Sequence, residues 1–180
     1  PGGNLPFTFH LLPFTAGRPA SRIMKSAPDS PSPTDRSGSV AIVASRYNAR
    51  FTDALVESAS ATLAKLAPEL AVRVVRVPGA FEIPIVVEAL ASSEDQPLAI
   101  LALGVIIRGS TAHADLIAES ITLSLQDTGV SHLVPVIHEV LLVESAEQAE
   151  ARTLGDELNR GREAAEAAVA MIEVMASLES

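Results

Sequence analysis

The chain has 180 residues, of which 48% are apolar, and a formal net charge of −9. This length and composition are typical of a globular protein with one domain. The longest apolar run has ten residues, which is too short to cross a bilayer, and no basic stripe is present for nucleic acid. The absence of cysteine excludes disulfides, thiol catalysis and thiolate metal sites.

The first 38 residues differ in composition from the rest. They contain seven of the twelve prolines and three of the five phenylalanines, and they show no helical or strand period. This composition predicts a disordered N-terminal extension over 1–38, followed by a folded domain over 39–180. Two origins stay open for the extension: a transit peptide, or sequence upstream of an initiator at Met24. We accordingly expect a cytoplasmic location, or a plastid location if the segment is a transit peptide.

Strand and helix patterns alternate from residue 39 onward. Residues 40–45 form a short β-branched run typical of a strand, and apolar side chains at helical spacing predict a helix over about 52–66. Pro68 ends that helix. A second strand, a loop and a second helix are predicted next, at 72–77, 78–82 and 83–91.

The second half of the domain continues the alternation. The most apolar run of the chain predicts a strand at 98–107, which a helix over about 115–127 and a strand at 133–143 follow. The next helix, over about 145–154, opens with the Ser-x-x-Gln form of a capping box. A final amphipathic helix is predicted over about 161–178.

Near-continuous apolar strands that alternate with helices predict an α/β fold, with a four-stranded parallel sheet covered by helices on both faces. Ligands of such three-layer α/β/α folds bind outside the carboxyl ends of the strands. This rule brings together the segments that follow the predicted strands, which are 46–48, 78–82, 108–113 and the end of the fourth strand.

The segment at 108–113, Arg-Gly-Ser-Thr-Ala-His, carries the most chemistry. A cation, a glycine, two hydroxyls and a histidine at the start of a helix are suited to hold an anion beside a proton-transfer group. In a structural alternative, Arg108 caps a carbonyl and His113 packs locally. The chain has no G-x-G-x-x-G, P-loop or G-x-S-x-G motif, and its histidines lack the i, i+4 spacing of a helical metal site.

Five segments together resemble the 6,7-dimethyl-8-ribityllumazine synthase family, in its order and spacing. They are residues 43–48, 77–84, 102–113, 147–152 and 159–165. The resemblance covers about residues 40–178 and implies a flavodoxin-like fold. It also implies a transferase of riboflavin biosynthesis, which condenses 5-amino-6-(D-ribitylamino)uracil with 3,4-dihydroxy-2-butanone 4-phosphate. The products would be 6,7-dimethyl-8-ribityllumazine, phosphate and water, and no metal or organic cofactor is implied.

The resemblance assigns roles to individual residues. His113 matches the family's proton donor, Ser110 and Thr111 match its phosphate-binding pair, and Arg152 matches its phosphate-binding arginine. The other positions that match substrate-binding residues are Tyr47, Ala80, Phe81, Glu82, Val105, Ile106, Ile107, His138 and Arg160.

Some of these residues have structural alternatives that the sequence leaves open. A flat π-face at Tyr47 suits a pyrimidine, but the residue could equally be a half-buried core tyrosine. Phe81 could belong to the core. The guanidinium fork of Arg152 suits phosphate oxygens, yet Arg152 could instead pair with Asp156 four residues later.

The chain departs from the family at several positions. His138 and Glu139 stand where the family usually has Phe-Gly, Ala114 replaces an aromatic residue, and Arg160 replaces a lysine. These departures keep a second hypothesis open, in which the chain is a non-catalytic protein that binds flavin or lumazine or forms a shell on the same fold. The retained His113 favours catalysis over that alternative.

Family members place each site between neighbouring subunits of a pentamer, and some pack twelve pentamers into an icosahedral shell. The short connection over 152–159 resembles that of the shell-forming members. The resemblance therefore implies small-molecule substrates, a homopentamer that can extend to a 60-subunit shell, and riboflavin synthase as a candidate partner.

Overall fold

Four parallel strands alternate with helices over the part of the chain that the computed structural model describes, residues 33–34 and 37–178. The elements in chain order are β1 (Gly38–Ser45), α1 (Ala49–Leu66), β2 (Leu70–Val77), a short 3₁₀ helix (Ala80–Glu82), α2 (Ile83–Ala91), β3 (Ala99–Ile107), α3 (His113–His132), β4 (Val136–Val143), α4 (Ala146–Thr153) and α5 (Arg160–Leu178). None of these helices is both long enough and apolar enough to span a bilayer. The extension predicted over 1–38 lies almost wholly outside the described residues, so its disorder, its origin and the location that follows from it stay predictions.

The sheet has the order β2-β1-β3-β4, and each neighbouring pair is parallel. Successive side chains of β1 point to opposite faces and enter two separate cores. Val40, Ile42 and Ala44 pack with α1 and α5 on one face, whereas Ala41 and Val43 pack with α2 on the other face. The predicted three-layer α/β fold with a four-stranded parallel sheet is confirmed.

The predicted elements are confirmed in type, but the boundary between α3 and β4 was predicted wrongly. We expected α3 to end near residue 127 and β4 to begin at residue 133. Instead α3 continues to His132, where Leu133 adopts a left-handed conformation with φ 53° and donates its N–H to the Gly129 carbonyl. Such a residue closes a helix, and the proline that precedes β4 has no N–H to donate to the sheet. The apolar run at 133–143, which we predicted as one strand, therefore contains the end of α3 as well as β4.

The predicted cap of α4 is present in a displaced form. Ser145 Oγ accepts a hydrogen bond from the Gln148 N–H at 3.4 Å. The Gln148 side chain accepts in return from the Glu144 N–H at 3.1 Å, which lies one residue before the position that a capping box uses. The start of α4 is thereby tied to the end of β4.

Helices α1 and α5 approach each other closely at Gly161, a buried glycine in the first turn of α5. A Cβ added there would lie 2.4 Å from the Leu55 carbonyl oxygen and 3.0 Å from its Cα. Both atoms belong to the backbone of α1 and cannot rotate away. Gly161 is therefore required by the close approach of the two helices.

We expect Gly161→Ala to lower the free energy of unfolding by about 1–3 kcal/mol, the usual cost of overpacking a core. Alanine is the better helix former by about 1 kcal/mol, so a net loss would have to come from the contact with Leu55. Thermal and denaturant unfolding measure the change. Gly109→Ala is the matched control, because no atom lies within 4 Å of its added Cβ. An equal loss in both variants would contradict this account.

Candidate active site

The strand order reverses between β1 and β3, and the carboxyl ends of these strands form the expected ligand crevice. Asn48 Nδ2 donates to the Val105 carbonyl at 2.8 Å and joins the segment after β1 to the end of β3. The Tyr47 N–H faces the Pro78 carbonyl at 3.3 Å and joins the same segment to the loop after β2. These contacts bring three of the predicted site segments together at one edge of the sheet.

Two aromatic side chains stand exposed at this edge. Tyr47 has a relative exposure of 73% and Phe81 of 59%, so neither is the core residue that the structural alternatives describe. The Tyr47 ring lies against Gly79, where an added Cβ would be 3.3 Å from Tyr47 Cδ2. An exposed ring seated on a glycine leaves one face open to a flat ligand.

The loop after β2 contributes hydrogen-bonding groups beside Tyr47. Its residues Ala80, Phe81 and Glu82 form the short 3₁₀ helix, and Glu82 Oε2 accepts from the Gly79 N–H at 2.8 Å. This bond fixes the carboxylate at the crevice, and an ionised carboxylate can accept further hydrogen bonds from hydroxyl groups.

The end of β3 leads into an exposed loop and then into α3. Val105 is buried, whereas Ile106 and Ile107 are half-buried, and Ser110, Thr111 and His113 are all exposed. The N-cap of α3, Ala112, offers no side chain to the first N–H groups of the helix. The loop hydroxyls and the helix N-terminus can present donors to an anion, and His113 is the first residue of that helix.

Arg108 does not leave its charge free for that anion. Its Nη2 and Nη1 lie 2.7 and 3.0 Å from the two carboxylate oxygens of Asp115, and its Nε lies 3.1 Å from Glu144 Oε1. The interpretation of Arg108 as an anion-binding cation stays a prediction, and the alternative in which it caps a carbonyl is not observed.

His138 lies apart from this crevice within the chain. In the sheet it pairs with Ala102, whereas the carboxyl end of β4, at Val143, pairs with Ile107. His138 is the third residue of β4, and β3 lies between it and the end of β1. Its Nε2 contacts Thr122 Oγ1 at 2.9 Å. Because the Thr122 hydroxyl donates its single proton to the Ala118 carbonyl, the imidazole is the donor in this pair.

Arg152 and Arg160 lie on the helices that follow β4. Arg160 Nη1 pairs with Glu163 Oε2 at 2.8 Å. Arg152 donates to the Gln148 carbonyl of its own helix at 3.2 Å, and no carboxylate lies within ion-pair distance of it among the described residues. The alternative pair with Asp156 is not formed. Arg152 thus keeps an uncompensated charge.

The matching family model, described as 6,7-dimethyl-8-ribityllumazine synthase, covers residues 37–176. The chain belongs to the 6,7-dimethyl-8-ribityllumazine synthase family. Relatives that carry this name include proteins from Stenotrophomonas maltophilia (strain R551-3), 43% identical over 81% of this chain and 94% of the relative, and Xylella fastidiosa (strain M12), 47% identical over 76% and 89%. A third, from Xanthomonas euvesicatoria pv. vesicatoria (strain 85-10), is 48% identical over 75% and 88%. Membership makes the chain a transferase of riboflavin biosynthesis.

Glu139 is the departure from the family with the clearest electrostatic consequence. It pairs in register with Leu103 and lies between Ile137 and Leu141, which pack on the core beneath α5. Burial raises the pKa of Glu139 to about 7, the positive charge of Arg160 opposes this rise, and the negative charge of Glu163 adds to it. On the opposite face, burial lowers the pKa of His138.

Several residues that shape the site were missed by the sequence analysis. Asn48 adjoins Tyr47 in the first motif, and an amide directly after a strand was the available signal. The sequence contained no signal that Asp115 and Glu144 would pair with Arg108. Glu144 in particular lies after a different strand, far along the chain from Arg108. The contact between Thr122 and His138 likewise depends on how α3 packs against β4.

A half-buried carboxyl with a raised pKa makes stability depend on pH. The folded state holds the Glu139 proton up to about pH 7, whereas the ordinary value is 4.5. Between these values the folded state binds more protons than the unfolded chain, so this group lowers stability as pH rises. Glu139→Gln stays neutral throughout. We expect its melting temperature to exceed the parent's by roughly 2–4 °C at pH 8, the shift that about 1 kcal/mol produces in a domain of this size, and to match it at pH 5.

Glu57→Gln, which removes an exposed carboxylate of α1, is the control for the change in net charge. Scanning calorimetry at pH 5 and pH 8 measures all three proteins. The difference in melting temperature between the parent and Glu139→Gln should grow toward pH 8. If it does not, or if Glu57→Gln shows the same difference, burial of Glu139 is not the cause of the pH dependence.

Proposed function

We propose that this chain condenses 5-amino-6-(D-ribitylamino)uracil with 3,4-dihydroxy-2-butanone 4-phosphate to form 6,7-dimethyl-8-ribityllumazine. The proposal rests on one observation. At the carboxyl edge of the sheet the chain groups an exposed Tyr47 ring, the Glu82 carboxylate, the loop hydroxyls and His113. An aromatic face suits a pyrimidine, a carboxylate suits ribityl hydroxyls, and an imidazole suits proton transfer near neutral pH.

The phosphate of the second substrate would bind at the start of α3. Ser110 and Thr111 supply hydroxyls there, and the N-cap residue Ala112 makes no side-chain hydrogen bond to the first turn of the helix. Arg152 would add a guanidinium, which forms bidentate contacts with phosphate oxygens. Its lack of a carboxylate partner supports this role, because a paired guanidinium would have to break that pair first.

His113 would transfer protons during the condensation. Imine formation, phosphate elimination, ring closure and loss of water each move a proton between heavy atoms. A positioned imidazole contributes about 10²- to 10⁴-fold to such steps. The two bound substrates also react as if in one molecule, which supplies much of the remaining acceleration. The strand end at Val105, Ile106 and Ile107 would orient the pyrimidine through its backbone groups.

We further propose a homopentamer in which a neighbouring subunit completes each site. Tyr47 and His113 follow the carboxyl ends of β1 and β3, whereas His138 lies within β4, two strands away from β1, so one chain does not gather all the matched residues. A neighbour would supply His138, Arg152 and Arg160. The six residues between α4 and α5 are too few for a long insertion, which is consistent with assembly into a 60-subunit shell. Riboflavin synthase remains a candidate partner by resemblance.

The surface of α3 supports this assembly. Leu116, Leu123 and Val130 are 65%, 65% and 63% exposed and are spaced by seven residues along the helix. An apolar residue at every seventh position forms a stripe along which helices pack side by side in a left-handed supercoil. A ring of α3 helices about one axis would cover the three side chains.

Incubation of the purified chain with both substrates tests the activity directly. The product is expected to appear as lumazine absorbance and fluorescence at a rate well above that of the uncatalysed mixture. If a folded, assembled protein gives no product above that rate, the activity is wrong. Binding of lumazine or flavin without turnover would then favour the non-catalytic alternative that His138 and Glu139 suggest.

Removal of Arg152 and of His113 should affect different kinetic constants. Arg152→Ala is expected to raise KM for the butanone phosphate about tenfold to a hundredfold, the loss of a charge-assisted contact of roughly 1.5–3 kcal/mol, with little change for the pyrimidine. His113→Ala should lower kcat with modest changes in either KM, because a proton-transfer group acts chiefly in the transition state. Steady-state kinetics against both substrates measures these constants.

Arg73→Ala is the control for Arg152→Ala, because it removes a cation from the exposed edge strand β2. It should leave all constants near those of the parent. A rise in KM for the pyrimidine alone in Arg152→Ala, or an unchanged kcat in His113→Ala, would show that the roles are assigned to the wrong residues.

The α3 stripe makes the assembly testable. Leu123→Glu places a charge at the middle of the stripe and is expected to shift the protein from pentamer or shell toward monomer in light scattering, with loss of activity at low protein concentration. Ser124→Glu adds the same charge one residue later, about 100° around the helix, and should leave the mass unchanged. A parent that is a stable monomer, or a Leu123→Glu variant that assembles normally, would rule out the proposed ring.

A further inference from the structure

The Arg108 side chain joins three elements that meet at the candidate site. Both Nη atoms contact the Asp115 carboxylate, at 2.7 and 3.0 Å, in the bidentate geometry that makes arginine pairs directional. The Nε lies 3.1 Å from Glu144 Oε1. The Nη edge of the guanidinium therefore faces Asp115, whereas Nε is within ion-pair distance of Glu144 and forms no hydrogen bond.

Each end of this contact is held by the fold. The Arg108 N–H donates to the Val143 carbonyl at 2.8 Å, which fixes its backbone at the end of β3 and β4. Asp115 lies in the first turn of α3. Glu144 directly follows β4, and its N–H is held by the Gln148 side chain at 3.1 Å. The Arg108–Asp115 pair connects the two ends of the segment 109–112. We call the contacts of Arg108 with Asp115 and Glu144 the clasp.

Little else orders the segment inside this clasp. Residues 109–112 are exposed and belong to no helix or strand. Within it the structure shows one weak side-chain contact, between Thr111 Oγ1 and the His113 N–H at 3.5 Å. The N-cap Ala112 adds no side-chain bond. The position of Ser110 and Thr111 relative to His113 thus depends on how the two ends of the segment are held.

We propose that Arg108 is a positioning residue, whose clasp on Asp115 and Glu144 holds the 109–112 segment and the first turn of α3 so that Ser110, Thr111 and His113 face one substrate. The inference rests on the proposed function, since it concerns the same site. Arg108 acts through these residues and does not itself touch the substrate.

A direct role in phosphate binding has the opposite consequence. The triad of one guanidinium and two carboxylates carries a net negative charge, so the cluster itself repels an anion. If Arg108 bound phosphate, Asp115→Asn would free the guanidinium and tighten phosphate binding. If Arg108 positions the segment, the same substitution loosens it and weakens phosphate binding. Whether Asp115→Asn tightens or weakens phosphate binding therefore distinguishes the two roles of Arg108.

The test compares Arg108→Lys, Asp115→Asn, Glu144→Gln and the double variant Arg108→Lys/Asp115→Asn. Lysine keeps the charge but cannot form the bidentate contact, so it should not rescue the clasp. We expect Arg108→Lys and Asp115→Asn each to lower kcat roughly tenfold to a hundredfold, the penalty for small misplacements of catalytic groups. KM for the butanone phosphate should rise, and KM for the pyrimidine should stay within about twofold. The double variant should be no worse than the worse single one, because both break the same contact.

Two further readouts do not require turnover. Calorimetry with inorganic phosphate should show weaker binding, and amide hydrogen exchange should be faster over 109–112 in each clasp variant. The control is Glu88→Gln, which removes the contacts of Glu88 with His132 at 2.7 Å and Thr128 at 2.8 Å at the far end of the same helix. It is expected to lower the melting temperature while leaving kcat, phosphate affinity and exchange over 109–112 unchanged.

Kinetics and phosphate affinity within twofold of the parent in folded Arg108→Lys and Asp115→Asn would overturn the proposal, as would tighter phosphate binding in Asp115→Asn. If those two variants fail to fold, Glu144→Gln decides, since it keeps the Arg108–Asp115 pair and should still accelerate exchange over 109–112. An inactive parent would refute the proposed function, whereas phosphate binding and hydrogen exchange would still test the clasp.

Discussion

Burial of the central strands on both faces is the constraint on which the rest of this structure depends. In β1 and β3 the side chains of Val40 through Ala44 and of Ala99 through Leu103 are almost completely removed from solvent, so each strand is covered by helices above and below. Parallel strands covered in this way need a helical crossover after each strand. All strands therefore end at the same edge, and the segments that leave them must meet there.

Electrostatics then decides which of the converging groups can receive a ligand. The chain is strongly acidic, and most arginines of its second half lie within ion-pair distance of a carboxylate: Arg108 of Asp115 and Glu144, Arg160 of Glu163, and Arg162 of Glu166. Arg152 is the exception among the described residues of that half. Under the proposed function, the anionic substrate would therefore bind to neutral donors, the loop hydroxyls and the N-terminus of α3, together with Arg152.

The edge strand β4 is less constrained than the centre of the sheet, and two of the departures from the family, His138 and Glu139, lie there. A central strand buried on both faces has no room for a histidine followed by a glutamate. On β4, His138 finds a hydroxyl acceptor on α3, and Glu139 lies under the first turn of α5 near Arg160. Both residues are half-buried, and both pKa values shift toward the neutral form. The edge strand thus tolerates polar side chains that the fully buried centre of the sheet would not accommodate.

The sequence by itself determined the alternation of strands and helices, the parallel sheet and the meeting of Tyr47, Glu82 and His113 at one edge. These features follow from hydrophobic periodicity, which is local, and from the rule that parallel strands end on one side. Only the tertiary structure decided that Tyr47 is exposed, that Leu133 ends a helix, that His138 contacts Thr122, and that Arg108 pairs with Asp115 and Glu144. Each of these features depends on the register between strands or on contacts between elements that are distant in the chain. A local pattern of residues does not determine such contacts.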